Sequence, residues 1–498
     1  MNTIWGISAN SHDAALAVMS YNADYTPEIV FASHSERFSA IKNDPDLNHA
    51  VVSYARQNWG DPDRVVWYER PFSKSIRQFY AGQGLRFREN NVHDYLAARK
   101  ITAPITTVGH HHSHAANGYY TSGLDNATVV VLDSIGEWET FTIWEGQGRK
   151  LKKVFSQRYP HSLGLWFSAM TDRIGLKAQE DEYILMGMAA WGDPEKYAQR
   201  ILEDFFDADS VRQAVTPEFK FSHNLHTGVD WWLPGLTEDD YPNVAAGVQR
   251  VYETVFKKIL IWCQANLRSQ NLVLVGGCAL NCSANRLIEN FYDNYYIPPS
   301  PGDAGSSIGA ILAHIQRPVE LKHPYLGYNI KRDYPVEAAL CGLIQKGMVG
   351  IANGRAEFGP RALGNRSLLA DPRRPNIKDL VNGVKQRQEF RPFAPAVLEE
   401  HAHRFFEGPM NRYMQYVARC RVPELLPGVV HVDNTSRVQL VPKNNPGSPG
   451  FRTLLERWYE ETGCPVLLNT SLNIKGCPMV NDERDARAFE QFYGVKVY

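Results

Sequence analysis

The run His110-His111-His112-Ser113-His114 is where residue types and spacing most directly suggest chemistry. If a helix starts in this run, His110 and His114 stand one turn apart and offer two imidazole nitrogens to a single point, as a metal site needs. Ala127 to Leu132 then reads as a strand ending on Asp133, and Pro298 to Asp303 as a turn into a small-residue helix over Ala304 to His314. Asp303 supplies a carboxylate. Two histidines and one acid with open coordination positions suit iron(II) and leave room for a substrate oxygen. A solvated histidine-rich loop is the plain alternative, and the acids that follow on the same chain weigh against it.

Three further constellations accompany the histidines. Gly276-Gly277-Cys278-Ala279-Leu280-Asn281 follows Leu272 to Val275, an apolar run typical of a buried parallel strand. Its backbone amides can approach a nucleotide phosphate while Asn281 reaches a sugar hydroxyl. In the turn Ser11-His12-Asp13, His12 can take a proton from an attacking hydroxyl, with Asp13 orienting the ring. From Ala352 to Arg391, nine Lys or Arg residues stand against four Asp or Glu, interleaved with glycines between Gly354 and Ser367. Guanidinium forks on such a frame clamp phosphates or carboxylates. Stacking aromatics do not alternate with these basic residues as in single-strand nucleic-acid binders, so a small anion is the expected ligand.

The elements that must position these residues follow from pattern. Thr3 to Met19 and Ala127 to Trp144 share a strand, tight polar turn, strand cadence, which suggests an internal duplication of the actin-like and sugar-kinase kind. Val244 to Gln270 has helical periodicity, and Ser162 to Gly192 alternates helix and loop around Glu180-Asp181-Glu182. Gln316 to Pro335, with prolines at 318, 324 and 335, reads as a linker. It divides the chain into an α/β domain over 1–325 and a second over 326–498, where Met348 to Ala352 and Val466 to Leu468 read as strands. A composition of 44% hydrophobic and 21% charged residues, over 498 residues, describes a globular chain with sizeable cores. A net charge of -1 gives no global pull toward nucleic acid or membrane. Seven cysteines without Cys-x-x-Cys spacing argue against a disulfide framework or zinc ribbon. The first strand-like run begins at Thr3 and no apolar run reaches membrane-spanning length, so the expected setting is the cytoplasm.

Taken in order, Gly6 to Ala9 with Ser11-His12-Asp13, Glu36-Arg37-Phe38, His110 and His114, Met186-Gly187, Gly276 to Asn281, Gly302-Asp303, Gly354 to Ser367, Arg391 to Pro395 and Leu468 to Ser471 resemble the O-carbamoyltransferases of nodulation-factor and antibiotic biosynthesis. The resemblance spans nearly the whole chain. It implies an N-terminal actin-like, duplicated ribonuclease-H-like domain and a C-terminal YrdC-like domain. It also implies that carbamoyl phosphate and ATP, with magnesium, form carbamoyl-adenylate and pyrophosphate in the second domain, and that the first passes the carbamoyl group to an alcohol. By position, His110, His114 and Asp303 would hold iron(II) or another divalent ion, with Asp133 beside it. Gly276, Gly277 and Asn281 would hold the adenylate. Arg355, Arg361, Asn365, Arg366, Ser367, Lys385, Arg391, Asn469 and Ser471 would surround the anionic substrates. Two departures stand out: Ile184 replaces the lysine usual before Met-Gly, and Cys477 lies where Gly-Glu-Pro is more usual.

The expected activity is therefore ATP-dependent O-carbamoyl transfer to a sugar, antibiotic or modified nucleotide, by an enzyme that forms a homodimer. Three rivals fit parts of the pattern. A metallopeptidase would explain the histidines, but a helical His-Glu-x-x-His with its general-base Glu is absent. An actin-like phosphotransferase would release ADP and leave the arginine cluster idle, and a non-enzymatic nucleotide sensor would bind ATP without requiring carbamoyl phosphate.

Overall fold

The computed structural model describes residues 3–212, 215–225 and 228–498. The first sheet is built from β1 (Thr3–Ser8), β2 (Ala15–Tyr21), β3 (Pro27–His34), β4 (Arg64–Trp67) and β5 (Ile105–Thr107) in the order β3-β2-β1-β4-β5. The second contains β6 (Asn126–Gly136), β7 (Glu139–Gln147), β8 (Lys150–Arg158), β9 (Asn271–Val275) and β10 (Asn294–Tyr296). Its order, β8-β7-β6-β9-β10, is the first order with every strand advanced by five. Parallel pairs recur at matching places, β1 with β4 and β4 with β5, then β6 with β9 and β9 with β10. The repeated hairpins at Thr3 and Ala127 thus mark a duplicated α/β fold.

Small residues let the helices close on these sheets. The helix His110–Thr121 begins at the first histidine. A Cβ at Gly118 would sit 2.5 Å from a Val273 methyl on β9, and one at Gly309 would sit 1.9 Å from the carbonyl oxygen of Ser113. The helix Ser306–Ile315 therefore lies against the histidine helix at a distance only glycine permits. A second contact of this kind joins Gly6 of β1 to the carbonyl of Ser307, where a Cβ would approach to 1.8 Å. The helix expected over Val244 to Gln270 is found over Tyr241–Asn266, and residues 267–270 lie beyond its end, where Leu267 turns extended.

A separate mixed sheet runs Met348–Ala352, Arg366–Ala370, Val466–Ser471, Ala394–Leu398, Gln439–Val441 in spatial order. Three pairings are antiparallel and the last is parallel. Leu340 and Leu343 of one helix with Phe451, Leu454, Leu455 and Trp458 of another fill a core with residues of that sheet. The segment expected to be a linker is instead partly structural. Tyr325–Ile330 is a strand paired antiparallel with Gly354–Glu357, and Tyr325, Leu326 and Ile330 are buried. The prolines at 324 and 335 bracket this apolar run rather than interrupt it.

By contacts the chain forms two compact units, one of residues 1–10, 16–30 and 52–320, the other of 11–15, 31–51 and 321–498. Within the second unit Arg37 donates to the carbonyl of Gly359 at 3.2 Å, and the Phe38 and Tyr328 rings meet at 6.3 Å. Such contacts explain why residues 31–51 group with residues so distant in sequence.

Candidate metal centre and anion cluster

In the first unit one side chain from each end of a helical turn, one from the end of a strand and one from a turn converge. His110 Nε2 lies 3.1 Å from Asp133 Oδ2 and 3.5 Å from Asp303 Oδ1. His114 Nε2 lies 3.3 Å from Asp303 Oδ1 and 3.8 Å from Asp133 Oδ2. The two Nε2 atoms are 3.0 Å apart, and all four donor atoms fall within 4.8 Å of one another. Metal bonds of about 2.1 Å place neighbouring ligands about 3 Å apart and opposite ones about 4.2 Å apart, so the set has the dimensions of a coordination shell. Among the described residues no other three His, Cys, Asp or Glu side chains converge in this way.

The electrostatics agree. Burial disfavours charge on all of these groups, yet Asp303 and Asp133 together raise the His110 imidazole well above the ordinary histidine range. Burial and the repulsion of Asp303 oppose ionisation of Asp133, but His110 and His114 hold its pKa down to about 2; the same rings hold Asp303 well below the carboxylate range. The protonated His110 imidazole balances these ionised acids, and a divalent ion would displace that proton and supply the charge in its place. His110, His114, Asp133 and Asp303 thus fit a divalent metal by both dimensions and charge.

Neighbouring backbone fixes the centre from behind. A Cβ at Gly136 would lie 2.1 Å from His110 Cδ2, so glycine leaves room for the ring. Glu137 Oε1 accepts from Arg70 N at 2.6 Å and His110 N at 3.3 Å, anchoring the start of the histidine helix. Gly276 has φ +93°, and a Cβ there would come 2.1 Å from the carbonyl of Leu132. The amide of Gly277 donates to Asp133 Oδ1 at 2.9 Å, which ties the glycine loop to the acid that faces the histidines. Asn281 has a different task from the one its motif suggests. Its carboxamide accepts from Ala284 N at 3.0 Å and exchanges hydrogen bonds with Gln249 at 2.9 and 3.1 Å, so it caps a short helix and braces the loop. His12 is exposed in the second unit, and Asp13 lies 2.9 Å from His34 Nδ1.

The basic cluster of the second unit separates into scaffold and candidate ligands. Arg366 is fully buried and points every donor at backbone carbonyls: Asn481, Asn353, Asn365, Tyr328 and Gly354, at 2.8 to 3.2 Å. Burial draws its pKa down to about 10, and it has no donor left for a phosphate. The expectation that Arg366 touches substrate is corrected by that enclosure. Asn365 is likewise spent, donating to the Arg355 carbonyl at 2.8 Å and accepting from Ser448 Oγ at 2.6 Å. Ser367 Oγ accepts from Gly364 N at 2.9 Å. Asn469 donates to Gln439 Oε1 at 2.7 Å, with its own Oδ1 buried and lacking a hydrogen-bond partner. Lys385 and Ser471 do meet: Lys385 Nζ donates to the Ser471 carbonyl at 2.6 Å and reaches Ser471 Oγ at 3.3 Å. Burial, reinforced by Arg387 and Arg391, holds the Lys385 pKa well below the ordinary lysine value. Arg355 is half-buried and donates to the Leu326 carbonyl at 2.8 Å. Arg361 is half-buried, and so is Arg391, which reaches Gln388 Oε1 at 3.3 Å.

Sequence reasoning missed Glu357, the single acid between Gly354 and Ser367. It is buried, and its Oε1 accepts from Leu363 N, Asn365 N and Arg366 N at 2.7, 2.9 and 3.3 Å. It gathers the glycine-rich loop around one carboxylate. Its isolation among arginines was the available signal.

No helix among the described residues is long and apolar enough to cross a membrane. A family model described as the carbamoyltransferase N-terminus matches residues 65–312, and one described as the carbamoyltransferase C-terminus matches residues 341–497. The chain is 32% identical to an uncharacterized protein of Synechocystis sp., over 98% of this chain and 94% of that one. It is 30% identical to the nodulation protein NolO of Bradyrhizobium diazoefficiens, covering 76% and 75%. To the 3'-hydroxymethylcephem-O-carbamoyltransferase of Amycolatopsis lactamdurans it is 27% identical, covering 97% and 95%. Among solved structures, full-length HypF in its phosphate- and nucleotide-bound form aligns at 14% identity and TM-score 0.34, covering 63% of this chain and 46% of that one. Component A of the (R)-2-hydroxyglutaryl-CoA dehydratase of Acidaminococcus fermentans aligns at 12% and 0.37, covering 64% and 99%.

Proposed function

Since the chain belongs to the carbamoyltransferase family, we propose that it is an ATP-dependent O-carbamoyltransferase acting in two steps. The observation that carries the reading is the convergence of His110, His114, Asp133 and Asp303 on one point. A carbamoyl carbonyl is a poor electrophile because its nitrogen donates into it, so the group must first gain a good leaving group. In the second unit, which we read as YrdC-like, water splits carbamoyl phosphate into carbamate and phosphate. A carbamate oxygen then attacks the α-phosphorus of ATP, supplied with magnesium, and pyrophosphate leaves. Arg355, Arg361, Lys385 and Arg391 neutralise the phosphate charge of this step, and Ser471 positions Lys385. Arg366 and Glu357 hold the glycine-rich segment that carries Arg355 and Arg361.

In the actin-like first unit the adenylate rests beside Gly276 and Gly277, whose own amides are given to the Pro301 carbonyl and to Asp133 and so fix the loop. The acceptor hydroxyl attacks the carbamoyl carbon, gives up its proton to a general base, and the bond to AMP breaks. A divalent ion such as iron(II) held by the four side chains would supply Lewis-acid polarisation of the carbonyl oxygen. The acceptor is an alcohol of a sugar, an antibiotic or a modified nucleotide; the cephem relative carries such an acceptor in its name. In this reading the enzyme works in the cytoplasm as a homodimer.

The experiment is incubation with ATP, labelled carbamoyl phosphate and a panel of alcohols, followed by mass detection of a carbamate gain. Pyrophosphate and AMP are the expected products. Release of ADP instead would indicate a phosphotransferase, and ATP binding without turnover would indicate a sensor; either defeats the proposal. His110→Ala should abolish transfer while pyrophosphate release persists. Arg391→Ala should stop pyrophosphate release, with transfer restored by added carbamoyl-adenylate.

A further inference from the structure

The helix Pro71–Tyr80 is amphipathic in the reverse sense. Lys74, Ser75 and Arg77 are its buried residues. Lys74 Nζ donates to Glu69 Oε1 and to the Asn10 carbonyl, both at 2.7 Å, and Arg77 Nε donates to the Glu137 carbonyl at 3.0 Å. Phe72, Ile76, Phe79 and Tyr80, spaced i, i+4, i+7 and i+8, face outward, joined by Leu85 and Phe87 of the following segment. The six range from 40% to 71% exposed. The rings of Phe72 and Phe87 meet at 5.7 Å, and those of Tyr80 and Trp138 at 5.5 Å, so the patch is continuous along the helix and past its end.

An apolar stripe turned to water contributes nothing to the isolated chain. At about 150 to 250 Å² for each fully exposed aromatic side chain, the patch amounts to on the order of 600 Å². That is the upper end of what monomers expose, and roughly three quarters of the ~800 Å² each partner contributes to a stable interface. At these exposures the rings project from the surface, whereas small ligands are gripped in hollows. Exposed Arg86, Arg88 and Glu89 lie beside the patch and carry both signs of charge, so the rim can pair with a copy of itself.

We propose that this face is the contact surface for a second copy of the chain, with the two helices Pro71–Tyr80 packed across a two-fold axis. The same stripe on both copies gives an interface complementary to itself. Assembly also bears on the metal centre. The backbone of Arg70 and the side chain of Arg77 hold Glu137, whose carboxylate reaches the amide of His110. Fixing the outer face of this helix steadies the wall behind the histidines. The inference does not depend on the chemistry proposed above.

The test is sedimentation velocity of the full chain between about 0.1 and 50 μM, a range that resolves micromolar self-association. The expected species has twice the 56.4 kDa of one chain and gives way to single chains on dilution. The double variant Ile76→Arg, Phe79→Arg should remain single at every concentration, with dimer dissociation raised about a hundredfold or more because each loss counts twice across the axis. Both positions are exposed, so the thermal midpoint of the isolated chain should hold. A wild-type chain that stays single throughout overturns the proposal, as does a dimer equally tight in the variant. Flotation with phosphatidylcholine–phosphatidylserine vesicles that depends on the same two residues assigns the face to a membrane and overturns it as well.

Discussion

Gly136→Ala isolates the packing that sets the metal centre. Gly136 is the last residue of β6, and its backbone does not require a positive φ. It is glycine for space alone: the added Cβ would lie 2.1 Å from His110 Cδ2 and 2.4 Å from Cγ. Ordinary carbon contact begins near 3.4 Å, so the ring must move by the difference, about 1.3 Å. Metal bonds tolerate errors of about 0.2 Å, and such a shift takes Nε2 out of the shell. The expected result is a metal dissociation constant raised at least about 10- to 100-fold, the loss usual when a ligand's support is disturbed. Overpacking should also cost about 1 to 3 kcal/mol of stability in the metal-free protein. Chelator competition measures the first quantity and denaturant melts the second. If the reasoning were wrong, alanine would stabilise this strand position by about 0.5 to 1 kcal/mol, since glycine is the poorer strand residue. Unchanged metal affinity together with a stabilised fold would refute it.

Other expectations follow from the same geometry. Asp133→Asn should weaken metal binding and loosen the glycine loop, because one oxygen faces the histidines while the other accepts from Gly277; metal analysis and amide exchange at Gly277 report the two effects separately. In the metal-free protein the stability contributed by Asp133 is complete above its unfolded pKa and is lost as pH falls toward about 2, which acid melts of wild type and variant can show. Arg366→Ala should cost about 3 to 5 kcal/mol by leaving buried carbonyls without donors, and denaturant melts would detect it whether or not substrates are present. The folded pKa of Lys385 lies below its unfolded value, so its contribution to stability is complete above the unfolded pKa and is lost as pH falls through the folded one. Anion binding beside Lys385 should raise its lowered pKa again, and calorimetry across a series of pH values in buffers of different ionisation enthalpy should record proton uptake wherever the free protein holds the amine neutral.

The legible parts of this molecule are those set by local spacing. Two histidines four apart on a helix, Asp133 near the end of a strand that runs on to Gly136, and an acid at the Asp303 turn converge on one point. The repeated hairpins at Thr3 and Ala127 announced the duplication for a similar reason. The obscure parts depend on burial across long separations. A count of arginines cannot tell Arg366, enclosed by five carbonyls, from Arg391, which is half-buried at the surface. Nor does a motif show whether Asn281 reaches a ligand or caps the next helix. The strand Tyr325–Ile330 was masked by prolines that frame it, since proline density signals a linker only when no apolar run lies between.

The pairing of Arg37 with the Gly359 carbonyl, 322 residues later, has a consequence for biosynthesis. At ribosomal speeds of about 5 to 20 residues per second, the early segment emerges roughly 15 to 65 s before its partner exists. During that interval Arg37 and Phe38 lack the Gly359 carbonyl and the Tyr328 ring that they meet in the finished chain. Splitting the gene at residue 320 would make the wait permanent.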